Sequence, residues 1–295
     1  MKVGLALGGG GAKGFFHIGV LKALEKLKIR INSVAGTSMG ALIGGLYALR
    51  PDAGYVEKVI FEVFNKYHKN VFALKNFSDL KSADGKIIFS QKYLGLLKEF
   101  YLWNARILKP YIISSRPFYK IFREIFGDAL FSDCRISFVA TAVDINSAEP
   151  VLFKKGFLYK AVLASSAVPG VFSPVKWGEN TFIDGGVLAP VPVSAIKGRN
   201  TFVIASNIEN VTHDNSRKKS ALDILTMADK IRYRKIVKDS VIAADFVIYP
   251  FLEGILWSDF DRAKELVKVG ETEVLSKGPD LIKRLRKARL KKFFF

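Results

Sequence analysis

The chain has 295 residues, of which 49% are hydrophobic, and a formal net charge of +19 at pH 7. It contains no Pro-, Ser- or Gly-rich linker, so we expect one domain over residues 1–295. Its single cysteine, Cys134, excludes an internal disulfide and favours a reducing compartment. The longest uncharged stretch, residues 31–49, is too rich in glycine and polar residues for a membrane span, and no secretory signal is evident. We therefore expect a soluble, cytoplasmic protein.

The chain begins with a strand, a glycine loop and a helix. Val3–Leu7 is an apolar strand, and the segment from Phe15 to Leu27 has apolar residues at helical spacing. The loop between them, Gly9-Gly10-Gly11-Ala12-Lys13-Gly14, matches the dinucleotide fingerprint G-x-G-x-x-G. A nicotinamide-binding oxidoreductase is therefore one hypothesis.

A second hypothesis for this loop is an oxyanion hole. The dinucleotide fingerprint requires an acidic residue about 20 positions later, and no acid occurs between Glu25 and Asp52. A phosphate-binding P-loop also fails, because no G-K-[S/T] follows. The backbone N–H groups of Gly9, Gly10 and Gly11 suit a tetrahedral oxyanion equally well, so we favour the oxyanion hole.

The next motif is a serine on a strand-to-helix turn. Gly36-Thr37-Ser38-Met39-Gly40 has the form G-x-S-x-G, which is meaningful where a strand enters the turn and a helix leaves it. A short β-favouring segment, Ile31–Ala35, precedes it, and residues 39–49 form an apolar helical run. Gly36 and Gly40 leave room for the strained turn. We predict Ser38 as the nucleophile and the Met39 N–H as a further oxyanion donor.

The serine needs a base, and the chain has three histidines. His17 lies on the first predicted helix and His68 in a polar stretch, so neither is a good candidate. His213 follows the serine, as an α/β-hydrolase histidine would, but no apolar strand presents it. Asp184 is the better candidate, because a short strand ends at this carboxylate and Gly185-Gly186 follow it. Burial would raise its basicity.

Together these motifs resemble the patatin-like phospholipase family. Gly9 to Gly14, Gly36 to Gly40 and Asp184 to Gly186 match its motifs in the same order, and residues 164–174 resemble the segment before Asp-Gly-Gly. Lys13 stands where the family often has arginine; it keeps the charge and loses the planar fork. The resemblance implies a lipid acyl hydrolase with a Ser38–Asp184 dyad and no histidine. We expect no cofactor and no metal.

The remaining pattern predicts a three-layer α/β/α sandwich with a mainly parallel central sheet. Residues 61–126 are rich in aromatic side chains, and we predict either core packing or an insertion that forms a lid. The further predicted strands are Ile136–Val143, Pro150–Phe153, Phe182–Asp184, Phe202–Ser206 and Phe246–Tyr249.

The excess of positive charge lies late in the chain. Basic residues cluster on a predicted helix from Lys230 to Lys238 and again over residues 260–295, which end in three phenylalanines. This favours contact with an anionic membrane surface, peripheral to the cytoplasmic face, over nucleic acid, for which no binding module is visible. The leading function is hydrolysis of phospholipid or lysophospholipid esters. The alternatives are a general carboxylesterase and an inactive scaffold of the same fold.

Overall fold

The computed structural model describes residues 1–67, 111–209, 220–250, 252 and 254–291. A central sheet of eight strands runs in the order β10-β9-β1-β2-β4-β8-β7, with β5 also paired to β4. Two further strands, β3 and β6, pair with each other in a separate parallel sheet. The strands are β1 (Lys2–Leu7), β2 (Ser33–Gly36), β3 (Tyr111–Ile113), β4 (Ser137–Asp144), β5 (Glu149–Phe153), β6 (Gly170–Phe172), β7 (Val175–Trp177), β8 (Asn180–Asp184), β9 (Thr201–Ser206) and β10 (Phe246–Ile248).

The central sheet is parallel over its five strands from β10 to β4 and antiparallel beyond them. β1 pairs with both β2 and β9, β2 pairs with β4, and β9 pairs with β10, all in parallel. β5 and β8 run antiparallel to β4, and β7 runs antiparallel to β8. The predicted fold class, a mixed α/β protein with a mainly parallel sheet, is confirmed.

The described helices are α1 (Phe16–Lys26), α2 (Met39–Leu49), α3 (Ala53–Tyr67), α4 (Arg116–Phe126), α5 (Leu158–Ser165), α6 (Ala221–Val241), α7 (Ala263–Ser276) and α8 (Gly278–Lys291). Helix α1 connects β1 to β2 and α6 connects β9 to β10, while α7 and α8 follow the last strand. Most of the helices contribute buried residues to one large core. Their apolar faces explain this placement: α1 buries Ile18, Leu21 and Leu24 at helical spacing.

The two faces of the sheet carry unequal cores. Alternate residues of β1 and β9 point to opposite faces, as the period of two requires. Leu5 and Ile204 belong to the large core, which contains most of the helices. Ala6 and Val203 belong to a smaller core with Val241 at the end of α6. The second outer layer is therefore thin.

The predicted strands agree with the observed ones to within about a residue at most ends, for example Val3–Leu7 with β1. The sequence did not predict β3, β6 and β7, which have three residues each. In the aromatic segment, Phe122 and Phe126 of α4 are buried in the large core. Residues 68–110 of that segment lie outside the described residues, so the lid stays a prediction.

Candidate active site

Ser38 occupies a strained turn between β2 and α2. Its backbone has φ 54° and ψ −122°, which non-glycine residues rarely adopt. A Cβ atom on Gly36 would lie 2.3 Å from the Gly40 carbonyl oxygen, and one on Gly40 would lie 2.3 Å from the Leu7 carbonyl oxygen. The two flanking glycines are therefore required by close backbone packing. The turn has the form predicted from the sequence.

The sheet register brings Asp184 to this turn across 146 residues of sequence. Gly36, at the end of β2, pairs with Ala140 of β4. Asp184, at the end of β8, pairs with Ala142 of the same strand. Both chain segments therefore leave the sheet at neighbouring positions of β4, and the Ser38 side chain lies close enough to the Asp184 carboxylate to lower its pKa.

Asp184 is buried, and both its carboxylate and its backbone are hydrogen-bonded. Its Oδ1 atom accepts a hydrogen bond of 2.7 Å from the Gly186 N–H, and its own N–H donates to the Ala167 carbonyl at 2.9 Å. Burial raises the pKa of Asp184 from 3.8 to about 6, although the hydrogen bond from Gly186 and the nearby Ser38 side chain lower it and the charge of Glu209 raises it further. Such a carboxylate is still mostly ionised at pH 7, and it is a stronger base than an ordinary aspartate.

The glycine loop lies against Ser38, and its N–H groups are not equivalent. A Cβ atom on Gly9 would lie 3.4 Å from the Ser38 Cβ. The Gly9 N–H donates to the Pro190 carbonyl at 3.1 Å. Within the described part of the chain, the N–H groups of Gly10 and Gly11 donate to no protein acceptor. Of the three glycine N–H groups predicted as oxyanion donors, two therefore lack a protein acceptor among the described residues.

Two further motif glycines, Gly14 and Gly185, allow close packing on either side of the serine turn. A Cβ atom on Gly14 would lie 2.2 Å from the Met39 Cγ, so the absence of a side chain lets the loop approach α2. Met39 is the first residue of α2, and its N–H has no acceptor within the helix. On the other side of the site, a Cβ atom on Gly185 would lie 2.5 Å from the Thr141 carbonyl oxygen.

His17 is fully buried and forms a hydrogen bond with Gly8, the residue that precedes the glycine loop. Its Nε2–H donates to the Gly8 carbonyl at 2.8 Å, and its Nδ1 accepts from the Ser206 hydroxyl at 3.0 Å. Burial lowers the pKa of His17 to about 4, so the ring is neutral at pH 7. His17 is therefore a buried helix residue with two hydrogen-bond partners. His68 and His213 lie outside the described residues.

A buried set of hydroxyl groups holds the serine turn, and sequence reasoning missed it. The Ser165 Oγ accepts a hydrogen bond of 2.9 Å from the Ser38 N–H. The Thr37 hydroxyl donates its one proton to the Ala189 carbonyl at 2.8 Å. In the hydrogen bond of 2.7 Å between the Thr37 and Thr141 hydroxyls, Thr141 is therefore the donor. The available signal was Ser165 itself, which stands in the segment 164–174 that resembles the family motif.

Two further polar side chains near the site, Glu209 and Tyr233, were also missed. A Cβ atom on Gly10 would lie 3.4 Å from Glu209 Oε1, so this carboxylate borders the glycine loop. Burial raises the pKa of Glu209, and the charge of the buried Lys13 opposes that shift. Burial and the charges of Glu209 and Asp184 raise the pKa of Tyr233 well above its ordinary value. Lys13 thus provides the positive charge beside the loop.

No group of three or more His, Cys, Asp or Glu side chains is arranged to hold a metal ion within the described ranges. None of the described helices is both long enough and apolar enough to cross a membrane.

A strained serine beside a buried carboxylate on a mainly parallel sheet defines the class of this chain, an α/β protein with a serine on a sharp strand-to-helix turn. The model of the family described as patatin-like phospholipase matches residues 5–196. The chain belongs to the patatin-like phospholipase family.

Individual relatives are similar over part of their length. An uncharacterised NTE family protein of Mycobacterium tuberculosis is 32% identical over 199 residues, which are 68% of this chain and 46% of that protein. The lysophospholipase NTE1 of Debaryomyces hansenii is 28% identical over 211 residues, 71% of this chain and 12% of that protein. The chain thus spans less than half the length of these relatives. The crystal structure of VipD from Legionella pneumophila aligns with 90% of this chain and 67% of its own at 13% identity and a TM-score of 0.45.

Proposed function

We propose that the chain is a serine lipid acyl hydrolase that cleaves carboxylic ester bonds of phospholipids or lysophospholipids. The observation that carries this proposal is the juxtaposition of Ser38, on its strained turn, and the buried Asp184 carboxylate at neighbouring positions of β4. A hydroxyl on a strained turn next to a carboxylate with a raised pKa is suited to attack an ester carbonyl. Family membership favours a lipid ester as the substrate.

In the first half of the reaction, the Ser38 Oγ attacks the ester carbonyl while Asp184 accepts its proton. The developing oxyanion accepts hydrogen bonds from the free N–H groups of Gly10 and Gly11, with that of Met39 as a third donor. The intermediate then expels the alkoxide of the substrate, which takes the proton from Asp184. The acyl group remains as an ester on Ser38.

In the second half, water replaces the alcohol. Asp184 accepts a proton from the water as its oxygen attacks the acyl carbonyl, and the same donors bind the second oxyanion. Collapse of that intermediate releases the carboxylic acid, and the proton on Asp184 returns to the Ser38 Oγ. A pKa of about 6 lets Asp184 both accept and release a proton near neutral pH.

The experiment measures hydrolysis of a lysophospholipid, a diacyl phospholipid and a short-chain aryl ester by the purified chain in the presence of a chelator. We expect acid release from at least one lipid, and a loss of about 10³-fold or more in Ser38→Ala and Asp184→Asn. The matched control is Ser166→Ala, which changes the neighbour of Ser165 and should retain activity. Hydrolysis that survives in Ser38→Ala, or none on any ester, would contradict the proposal.

A further inference from the structure

Helix α6 carries three exposed isoleucines on one face. Ile224, Ile231 and Ile242 are 57%, 58% and 80% exposed, and Ile242 directly follows the last residue of the helix. Spacings of seven and eleven residues correspond to about two and three helical turns, so the three side chains share one line along the helix. This line is about 27 Å long at 1.5 Å per residue.

Two lysines lie on the same face. Lys235 and Lys238 follow Ile231 by four and seven residues, and both are exposed. Lys235 forms an ion pair of 2.7 Å with Asp239, but exposed pairs of this kind are weak and are screened by salt. The other acids of α6 lie off this face: Asp223 caps the helix start with Ser220, and Asp229 pairs with Arg232. The line of isoleucines is therefore flanked by positive charge.

The second basic helix, α8, differs in the use of its apolar residues. Leu281 and Leu285 are buried against the protein core, while the exposed surface of α8 carries Lys283 and Lys287. Leu290 is exposed near its end. Both helices thus present lysines to solvent, but α6 also presents an extended apolar line.

The opposite face of α6 borders the candidate active site. Lys230 and Val237 of that face are buried. Tyr233, on the same side, lies close enough to Asp184 and Glu209 for both charges to act on its phenol. A surface bound to the outer face of α6 would therefore be separated from the site mainly by the thickness of one helix, about 10 Å.

We propose that the outer face of α6, formed by Ile224, Ile231, Lys235, Lys238 and Ile242, docks on an anionic lipid surface. The isoleucines enter the boundary between headgroups and acyl chains, and the lysines contact lipid phosphates. This inference rests on the proposed function, because it explains how a lipid hydrolase reaches substrates that are held in a bilayer.

The alternation of charge and apolar side chains favours lipid over a second copy of the chain. Two copies joined through this face would bring Lys235 and Lys238 of both together, with Asp239 as the acid at its edge. Repulsion between four lysines would oppose such a dimer. A bilayer with anionic headgroups offers phosphate to the lysines and acyl chains to the isoleucines at the same depth.

The experiment is sedimentation of the chain with sucrose-loaded vesicles of phosphatidylcholine and phosphatidylglycerol, and with vesicles of phosphatidylcholine alone. We expect binding to the anionic vesicles, and a loss of about tenfold or more in Lys235→Gln/Lys238→Gln, from roughly 1 kcal/mol per charge. The variant Ile224→Gln/Ile231→Gln/Ile242→Gln should lose binding to a similar or greater extent. Both variants should keep wild-type turnover of a short-chain aryl ester, because none of these side chains touches the site.

The matched controls are Lys283→Gln/Lys287→Gln and Leu290→Gln on α8, which remove the same kinds of side chain from another exposed basic helix. Absence of wild-type binding, unchanged binding of the α6 variants, or an equal loss in the α8 controls would overturn the proposal. So would a wild-type dimer, seen by analytical ultracentrifugation, that the isoleucine variant abolishes. Vesicle binding needs no hydrolysis, so a chain that docks through α6 but cleaves no ester would refute only the proposed function.

Discussion

Replacement of the Asp184 carboxyl by an amide should stabilise the fold while it removes turnover. Burial raises the pKa of Asp184 from 3.8 to about 6, so the folded chain holds this proton more tightly than the unfolded chain does. The stabilising contribution of the group is complete below pH 3.8 and is lost as the pH rises through about 6. The difference of about 2 units corresponds to about 3 kcal/mol. Asp184→Asn removes this cost and retains an oxygen that can accept from Gly186.

Thermal unfolding of wild type and Asp184→Asn at several pH values tests this magnitude. At pH 8 we expect the variant to gain about 3 kcal/mol, which is about 5 °C in Tm for a chain of this length. The gain should fall to about half near pH 5 and be small at pH 4. Asp128→Asn, which removes an exposed carboxylate paired with Arg123, should change Tm little at any pH. A variant that is less stable than wild type at pH 8, or a gain that does not depend on pH, would refute the reasoning.

Three further predictions concern the surroundings of the dyad. Glu209→Gln should shift the acid limb of the kcat/KM profile to lower pH, because the Glu209 charge raises the pKa of Asp184; a shift to higher pH would contradict this. Gly11→Ala should lower the free energy of unfolding more than Gly127→Ala does. Both glycines have φ near +57°, but a Cβ atom on Gly11 would lie 2.5 Å from the Trp257 carbonyl oxygen, whereas one on Gly127 meets nothing within 4 Å. Equal losses in urea unfolding would show that crowding is unimportant. His17→Ala should lower kcat/KM by displacing the glycine loop, but should keep the inflection near pH 6; loss of that inflection would make the histidine the base.

Ser38 and Asp184 could be predicted because each is marked by residues adjacent to it in the sequence. Ser38 needs a sharp turn, and the glycines on both sides of it are visible in the sequence. Asp184 was identified from a short strand followed by two glycines, and β8 does end at this residue. The order of the strands in the sheet was not predictable in the same way, because pairing with β4 depends on contacts between distant segments.

The surrounding groups could not be predicted, since the fold alone brings them together. Glu209 follows β9, and nothing in its neighbours marks it as a group beside Gly10. The hydrogen bond from Gly9 to Pro190 is also set by tertiary structure, and it removes one of the three donors that the glycine run suggested. A run of glycines indicates a close backbone approach, but not which N–H groups remain free.

The central claim, that Ser38 is an activated nucleophile whose base is Asp184, is tested most directly by covalent labelling. The full chain would be incubated with a fluorophosphonate probe across pH 5 to 8, and the modified peptide would be identified by mass spectrometry. We predict one label on Ser38, a rate that rises through an inflection near pH 6, and slow labelling in Asp184→Asn. Labelling at another residue, or a Ser38 rate that is unchanged in folded Asp184→Asn, would contradict this claim.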